Sequence, residues 1–374
     1  MNNHPDILII GGGVIGLTTA CRLADYGASV TIVDRQRIGR EASWAGAGML
    51  PPGGTTDIKT PEARLRSLSS ALWAELSQEL LDCTGIDNGY RRCGAINVCT
   101  DDNRDSFFDQ IAEWQAEGIE VMLSDRAELS QHIPDLHSDF QTGAFLPDFC
   151  QVRNPRHVKA LASACLQRGV QIVEDAEQLT LHADAGRVTA STPTRRFPAD
   201  RICVTAGSWT APLLQALNVS LPVQPVRGQI AQLQVSRLPF SCVIELGRRY
   251  LVPRPDGLIL VGSTEEHVGF EKRNTTEGVA GLLKFAESLV PGLSQAEVLR
   301  CWAGLRPGSP DELPFLGRIP GFENLFVGAG HYRSGVQMSP GTAAVLSNLL
   351  LDAESPISLE GLESGRQIPP IYPK

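Results

Sequence analysis

Residues 7–10, Ile-Leu-Ile-Ile, run without a break into Gly11-Gly12-Gly13-Val14-Ile15-Gly16. Four apolar residues closed by glycine read as a buried strand, and the apolar spacing over 14–26 reads as the helix that follows. Gly27 stops that helix, and 29–33 reads as a second strand with Asp34 at its end. Each glycine of the GxGxxG spacing has a physical reason. Gly11 permits the tight turn, Gly13 lets the backbone approach a pyrophosphate, and Gly16 lets the helix pack on the strand. The helix start then offers free N–H groups and a partial positive charge to phosphate. Asp34 is placed to accept hydrogen bonds from ribose hydroxyls. A lone GxGxxG says little, but strand, turn, helix, strand and acid in register predict a nucleotide-binding βαβ unit.

The rest of the composition narrows the class. At 374 residues the chain is long enough for two domains. With 42% hydrophobic and 20% charged residues, 36 glycines and 25 prolines, it reads as a turn-rich α/β protein rather than a coiled coil, collagen or disordered chain. A net charge of −9 argues against a nucleic-acid or anionic-membrane partner, since either needs a basic face. No apolar run approaches the roughly 18 residues of a membrane span. The start, Met1-Asn2-Asn3-His4-Pro5-Asp6, lacks the basic and apolar segments of a signal peptide. Nine scattered cysteines without a CxxC pair suit reduced thiols and provide no zinc or other metal motif. The cytoplasm is the expected location.

Further helices are expected at about 61–83, 102–117, 155–168 and 276–289. A last one, capped by Ser339 with Pro340 at its first position, is expected to run to about 351. Strands are expected at 170–174, 179–182 with 186–191, 201–205, 226–235, 249–254 with 258–263, and 325–327. Residues 39–54 (GREASWAGAGMLPPGG) show no strand period and are expected to be irregular. The α/β stretches alternate with strand-rich ones, so two domains interleave. The expected division is 1–86, 149–221 and 301–374 for the nucleotide domain, with 87–148 and 222–300 for a substrate domain.

A nicotinamide dehydrogenase usually continues after the acid with regular βα units. Here Asp34 is followed by Arg35 and the small-residue stretch 39–54, which would let backbone lie against a large flat ligand. The start of the last helix, after the loop 328–335, could stabilise the negative charge that a reduced flavin gathers near N1 and C2=O. FAD is therefore expected over NAD.

The chain resembles the glycine oxidase branch of the D-amino-acid oxidase family of flavoproteins. The stretches that carry the resemblance are IIGGGVIG (9–16), GREASWAGAGML (39–50), VRNPRHVKAL (152–161), VTAGSW (204–209), PVRGQ (225–229), RYLVPRPDG (249–257), LVGSTEEHVGFEK (260–272), WAGLRPGSPDELPFLGRIPGFENLF (302–326) and GHYRSG (330–335). The resemblance implies noncovalent FAD in a Rossmann domain of glutathione-reductase type, interleaved with a substrate domain on a mixed β-sheet. By position it implies flavin contacts at Val14, Ile15, Asp34, Arg35, Ala42, Ser43, Ala47, Gly48 and Met49, and at Ala206 and Gly207 within VTAGSW. It implies that the backbone around Gln178 meets the adenine, and that His331, Tyr332, Arg333, Ser334, Gly335, Val336 and Gln337 wrap the isoalloxazine. Related sarcosine oxidases hold FAD through a cysteine near 302–306. This chain has Trp302 to Arg306 there, with Cys301 out of place, so no covalent link is expected.

Read without the family, Arg306 and Arg333 lie in glycine-flanked loops and Tyr250 lies on a strand. A guanidinium fork fixes a carboxylate by two hydrogen bonds, and a tyrosine hydroxyl can add a third. With the family, these three are the expected substrate-binding residues. The implied reaction is oxidation of an amine α to a carboxylate: glycine, with sarcosine and small D-amino acids, gives an imine and then a 2-oxo acid and ammonia. Dioxygen is reduced to hydrogen peroxide. No side-chain acid or base is assigned, and His331 is expected to act through its backbone. The resemblance further implies a role in thiamine thiazole synthesis with thiazole synthase as partner, and a homo-oligomer, tetrameric in relatives. A broader D-amino-acid oxidase, a carrier-linked dehydrogenase and a noncatalytic flavoprotein are the alternatives.

Two residues depart from the family pattern. Glu265 stands where a relative has methionine, and would hold the substrate ammonium or restrict side-chain size. Hairpin arithmetic places Glu266 on the face of Tyr250 and turns Glu265 away, unless the strand bulges or ends by Thr264. Gln337 replaces an aliphatic residue beside the flavin loop.

Overall fold

The computed structural model describes residues 6–368; residues 1–5, part of the signal-peptide reading, and 369–374 lie outside the described residues. Asp6–Ile10 sits inside a six-stranded sheet, parallel to Ser29–Val33 on one side and Arg201–Val204 on the other. Gln171–Val173 extends the first side, and Leu325–Ala329 with antiparallel Phe315–Arg318 extends the second. Strands covered on both faces must be apolar throughout, and Leu8, Ile9, Ile32, Val204 and Val327 are all buried.

The helix Val14–Asp25 leaves the first strand at Gly13. A Cβ on Gly16 would stand 2.0 Å from the Gly11 carbonyl oxygen, so only glycine lets this helix settle on the turn. Leu17 and Leu23 then bury against Leu161 of the helix Asn154–Gln167 and Leu346 of the helix Ser339–Leu350. Each such leucine contributes about 2 kcal/mol relative to exposure. The long helix Pro61–Thr84 packs beside them. Thr60 caps it by accepting from the Ala63 N–H at 3.1 Å, and Gly85 ends it in the left-handed region at φ 68°.

The second large sheet has eight strands, in the order Glu297–Gly308, Gln224–Gln234, Leu258–Gly262, Arg249–Pro253, Val243–Leu246, Ala95–Cys99, Thr142–Leu146 and Met122–Asp125. It is mixed, because Val243–Leu246 and Ala95–Cys99 run parallel while their neighbours are antiparallel. One face is covered by the helix Thr276–Leu289, which buries Leu282, Phe285 and Leu289 against Ile244, Leu251 and Val261. The other face, carrying Ile230, Tyr250 and Leu260, turns toward the nucleotide-binding sheet through Ala47 and Met49.

Three local expectations are corrected. Residues 39–54 are not wholly irregular: Ala42–Ala45 forms one helical turn, and Met49–Leu50 pairs antiparallel with Cys150–Gln151. Arg306, expected in a glycine-flanked loop, lies on a strand of the eight-stranded sheet that begins at Glu297 and pairs with Gln224–Gln234 as far as Gly308. Ser339 is the first residue of its helix, after Met338, and its hydroxyl donates to the Val336 carbonyl at 2.8 Å.

Candidate active site

Two adjoining chambers lie between the sheets. The first, about 420 Å³, runs from Asp34, Arg35 and Gln178 past Gly11, Gly13, Val14 and Ile15 to Arg306, Tyr332 and Arg333. Ala42, Ser43, Ala206, Gly207, His331, Gly335 and Val336 also line it. Gly16 does not, since its place is the helix–turn contact. Asp34 is bound at both oxygens, one accepting from the Gly12 N–H at 2.7 Å and the other from the Gln36 N–H at 3.0 Å. Burial raises its pKa above the usual carboxylate value despite those bonds. The Ser43 hydroxyl accepts from the Val14 N–H at 2.9 Å, at the helix start where N–H groups lack intrahelical partners. A Cβ on Gly11 would meet the Thr205 carbonyl oxygen at 2.5 Å, so the turn is walled by backbone. Near the Asp34 end, the Arg35 guanidinium lies 3.7 Å over the Trp209 ring, and Gln178 turns the chain in the left-handed region at φ 57°. Backbone lines the groove at the Gly11–Ile15 turn, and Asp34 and Arg35 line its far end, a lining that fits a dinucleotide such as FAD.

The second chamber, about 280 Å³, shares Arg306 and Arg333 with the first. Tyr250, expected at the substrate, and Ala47, Gly48, Met49, Ser334 and Gln337, expected at the flavin, also line it, together with Glu245, Arg248 and Ser263, which the sequence did not single out. Register explains how its floor is built. Tyr250 pairs with Gly262, whose missing side chain leaves room for the phenol: a Cβ there would lie 2.5 Å from the tyrosine oxygen. Arg306 lies over Gly228 in the same way, with a Cβ there falling 2.3 Å from its guanidinium. The Arg306 guanidinium donates to the Thr264 carbonyl at 3.1 Å and to the Ser263 hydroxyl, both neutral acceptors. Burial and nearby Arg333 lower its pKa. Among the described residues no carboxylate forms an ion pair with it. A half-buried cation without a counter-ion is partly desolvated, and an anionic ligand in the chamber would offset that cost.

Glu265 lines neither chamber. The hairpin strand ends at Gly262, so alternation stops and Glu265 swings to Arg333, 3.0 Å away, while Arg248 grips it at 2.7 and 2.9 Å. Burial alone would raise its pKa, but Tyr332, Arg248 and Arg333 hold it below the usual carboxylate range. Glu266 does not share the face of Tyr250; it pairs with Arg227 and bonds Gln229 and Thr264. His331 is buried, its Nε2 lies 2.9 Å from the Thr342 hydroxyl, and burial pushes its pKa down to about 3. Gln337 is also buried. Its backbone oxygen accepts from Trp73 Nε1 at 2.8 Å, while its side-chain Oε1 has no partner among the described residues.

Residues missed in the sequence carry the scaffold. Arg254 is buried and donates to Ala47 O and Gln151 Oε1, both at 2.6 Å, and to Val152 O at 3.0 Å. It thereby ties the 47–49 loop to the neighbouring strand, and burial lowers its pKa to about 9. Asn154 donates to Ser43 O at 2.9 Å. Arg254 lies within RYLVPRPDG and Asn154 within VRNPRHVKAL, yet nothing local marks either as buried.

Among the described residues no helix is long and apolar enough to cross a membrane. Comparison with known proteins agrees with the geometry. The chain is 35% identical to the glycine oxidase of Pseudomonas putida, over 93% of this chain and 95% of that protein. It is 36% identical to the bifunctional protein ThiO/ThiG of Synechocystis sp., over 94% of this chain but 52% of that protein, about half its length. The crystal structure of glycine oxidase from Geobacillus kaustophilus superposes with a TM-score of 0.93 at 31% identity, covering 98% of this chain and all of that one. That of iminodiacetate oxidase from Chelativorans sp. superposes at 0.87 with 28% identity, covering 96% and 98%. The family described as FAD dependent oxidoreductase matches residues 6–349, which take in both chambers, the βαβ cradle and the unpaired arginine. With nucleotide groove, substrate-sized chamber and sequence in agreement, the chain belongs to this family of FAD-dependent oxidoreductases.

Proposed function

We propose that the chain is an oxidase of small α-amino acids, with glycine as its substrate and sarcosine and small D-amino acids as further ones. Dioxygen is the electron acceptor and hydrogen peroxide the second product. The observation that carries this reading is Arg306, a half-buried guanidinium without a counter-ion, shared by the nucleotide groove and a chamber of amino-acid size. FAD, when bound, supplies a two-electron acceptor for the carbon that bears the amine. Gly11, Gly13, Val14, Ile15, Asp34, Ser43 and the 331–337 loop would hold it. No cysteine lines either chamber, and Cys301 packs on the far face of the sheet, which supports noncovalent binding.

The residues of the chain bind and orient. Arg306 takes the substrate carboxylate in a fork, Arg333 adds a second cation, and the Tyr250 hydroxyl closes the same end. Fixing the carboxylate restricts how the α-carbon is presented to the cofactor, a positioning contribution to rate. His331 cannot serve as base: its Nε2 is engaged by Thr342 and the ring stays neutral. The amine therefore loses its proton before or on binding, and the resulting imine hydrolyses to 2-oxo acid and ammonia.

The proposal includes a two-lobed division, with the FAD lobe from 1–86, 149–221 and the C-terminal part, and the substrate lobe from 87–148 and 222–300. Because the last strand of the mixed sheet runs to Gly308, the final boundary is better drawn after it. It also includes the cytoplasm, which nine free thiols suit, a homo-oligomeric state, and a place in thiamine thiazole synthesis with thiazole synthase as partner. The relative named bifunctional ThiO/ThiG, whose remaining half lies outside the match, supports the last point.

The test is a visible spectrum of the purified protein before and after anaerobic glycine, and again after air. Bleaching by glycine, recolouring by air and stoichiometric peroxide are expected. A yellow protein bleached by sarcosine or a D-amino acid but not by glycine would change the substrate. Bleaching without recolouring by air would point to a carrier in place of dioxygen.

A further inference from the structure

Pairing across the mixed sheet sets one row of side chains on the chamber face: Trp302, Ile230, Gly262, Tyr250, Glu245 and Asn97, each in register with the next. Residues paired across strands share a face. Glu245 is the one carboxylate in that row, and it lines the chamber together with Tyr250 and Arg333. Its strand lies three strand spacings from Gly228, over which Arg306 rests. That is roughly 14 Å of main chain, with Tyr250 between.

The other acids around the chamber are already engaged. Glu265 bonds Arg333 and Arg248, Glu312 bonds Arg248, and Glu266 bonds Arg227. Glu245 has no protein donor among the described residues; its carboxylate meets the chamber and feels Arg333 at longer range. Such a group adds nothing to the fold and costs desolvation. Burial accordingly raises its pKa to about 7. Its placement makes sense only toward a ligand. Arg306, with Arg333 beside it, serves one substrate carboxylate, and Arg248 is engaged by Glu312 and Glu265, so any further anion on the ligand would face Glu245.

We propose that Glu245 is a specificity-determining residue: it rejects amines that carry a second carboxylate and admits those whose remaining substituent is small, neutral or an N–H donor. The proposal rests on the reading that a substrate carboxylate docks at Arg306. It works by repulsion in a chamber where water screens poorly, rather than by a better fit to the accepted substrate.

The experiment uses the holoenzyme, its Glu245→Gln variant and the charge-keeping Glu245→Asp variant, at about pH 8.5, above the raised pKa, so that the carboxylate is ionised. Two ratios are measured. One is kcat/KM for iminodiacetate, a glycine with a second carboxymethyl group on nitrogen, against that for glycine. The other is the Kd of malonate against that of acetate, read from the perturbed flavin spectrum. Glu245→Gln is expected to move both ratios toward the dicarboxylate by about tenfold or more, the scale of one like-charge contact. Glu245→Asp should keep the wild-type ratios. A malonate-to-acetate ratio unmoved by Glu245→Gln would overturn the proposal, as would failure of both ions to bind. If the wild type oxidises neither amine, the proposed function fails, and the binding ratio still decides the role of Glu245.

Discussion

Arg333 donates to Glu265 at 3.0 Å, and the same carboxylate is gripped by Arg248 at 2.7 and 2.9 Å. The acid that departs from the family pattern therefore reaches the site through an arginine and sets its position. Arg333 is further fixed by its bond to the Arg248 carbonyl at 2.7 Å. Glu265→Met should free Arg333 while leaving Arg306 in place. With the two side chains 23% and 25% exposed, the pair is worth about 1 kcal/mol, so KM for glycine should rise about fivefold with kcat less affected. The glycine-to-D-alanine preference should change with it. Steady-state kinetics on both substrates checks this, and an unchanged KM would remove Glu265 from the account.

Arg306 is the stronger case. Arg306→Lys keeps the charge but loses the fork and the bonds to Ser263 and the Thr264 carbonyl. The expected loss in kcat/KM for glycine is at least tenfold, and Arg306→Ala should lose 2–5 kcal/mol, about 30-fold to several thousandfold. FAD content by absorbance separates this from loss of the cofactor. Full activity in Arg306→Ala would place the carboxylate elsewhere.

The nucleotide end of the site was legible in the sequence because its determinants are local. Ile10, Gly11, Gly16 and Asp34 belong to one βαβ unit, and every residue expected there from Gly11 to Ser43 lines the groove except Gly16, which packs. The substrate end depends on register. Glu245 and Tyr250 become neighbours only when their strands pair, and Ser263 meets Arg306 across 43 positions of chain. The strand Glu297–Gly308 was hidden by Gly304, Pro307 and Gly308, which read as loop residues. It tolerates proline because it is the outer strand of its sheet. The turn Ala42–Ala45 is too short to show a helical period. Glu265 escaped the alternation because its strand ends three residues earlier.

A strap from the mixed sheet closes the nucleotide groove from outside. Lys272 Nζ reaches Glu41 at 2.7 Å, and the Phe270 ring lies 5.4 Å from Trp209, which itself stacks beneath Arg35. Glu41, Trp209 and Arg35 all line the groove, so the strap braces its wall. Phe270→Ala combined with Lys272→Ala should weaken FAD binding by about 1–2 kcal/mol, roughly five- to thirtyfold in Kd, with kcat retained at saturating FAD. Titration of the apoprotein with FAD measures it. An unchanged Kd would make the strap a passive surface contact.

The loop that carries Ser263 and Glu265 is anchored by Glu266, and that anchor carries a pH signature. Arg227 is buried and bonds Glu266, whose other oxygen is 2.7 Å from Gln229 Nε2 and also bonds the Thr264 hydroxyl. Burial would raise the Glu266 pKa, but Arg227, Thr264 and Gln229 outweigh it and bring it down to about 2. A carboxyl depressed in the folded state contributes stability that is fully present above its unfolded value, about 4.3, and is lost as pH falls toward the folded one. Glu266→Gln leaves Arg227 without its main counter-ion, and the partial exposure of Glu266 tempers the cost to about 1–3 kcal/mol at pH 7. Urea unfolding of both proteins should show that gap at neutral pH. Below a pH of about 4 the gap should shrink, because the wild type loses the contribution and the glutamine variant has none to lose. A gap that stays constant across this window would mean that Glu266 acts through packing and not through its charge.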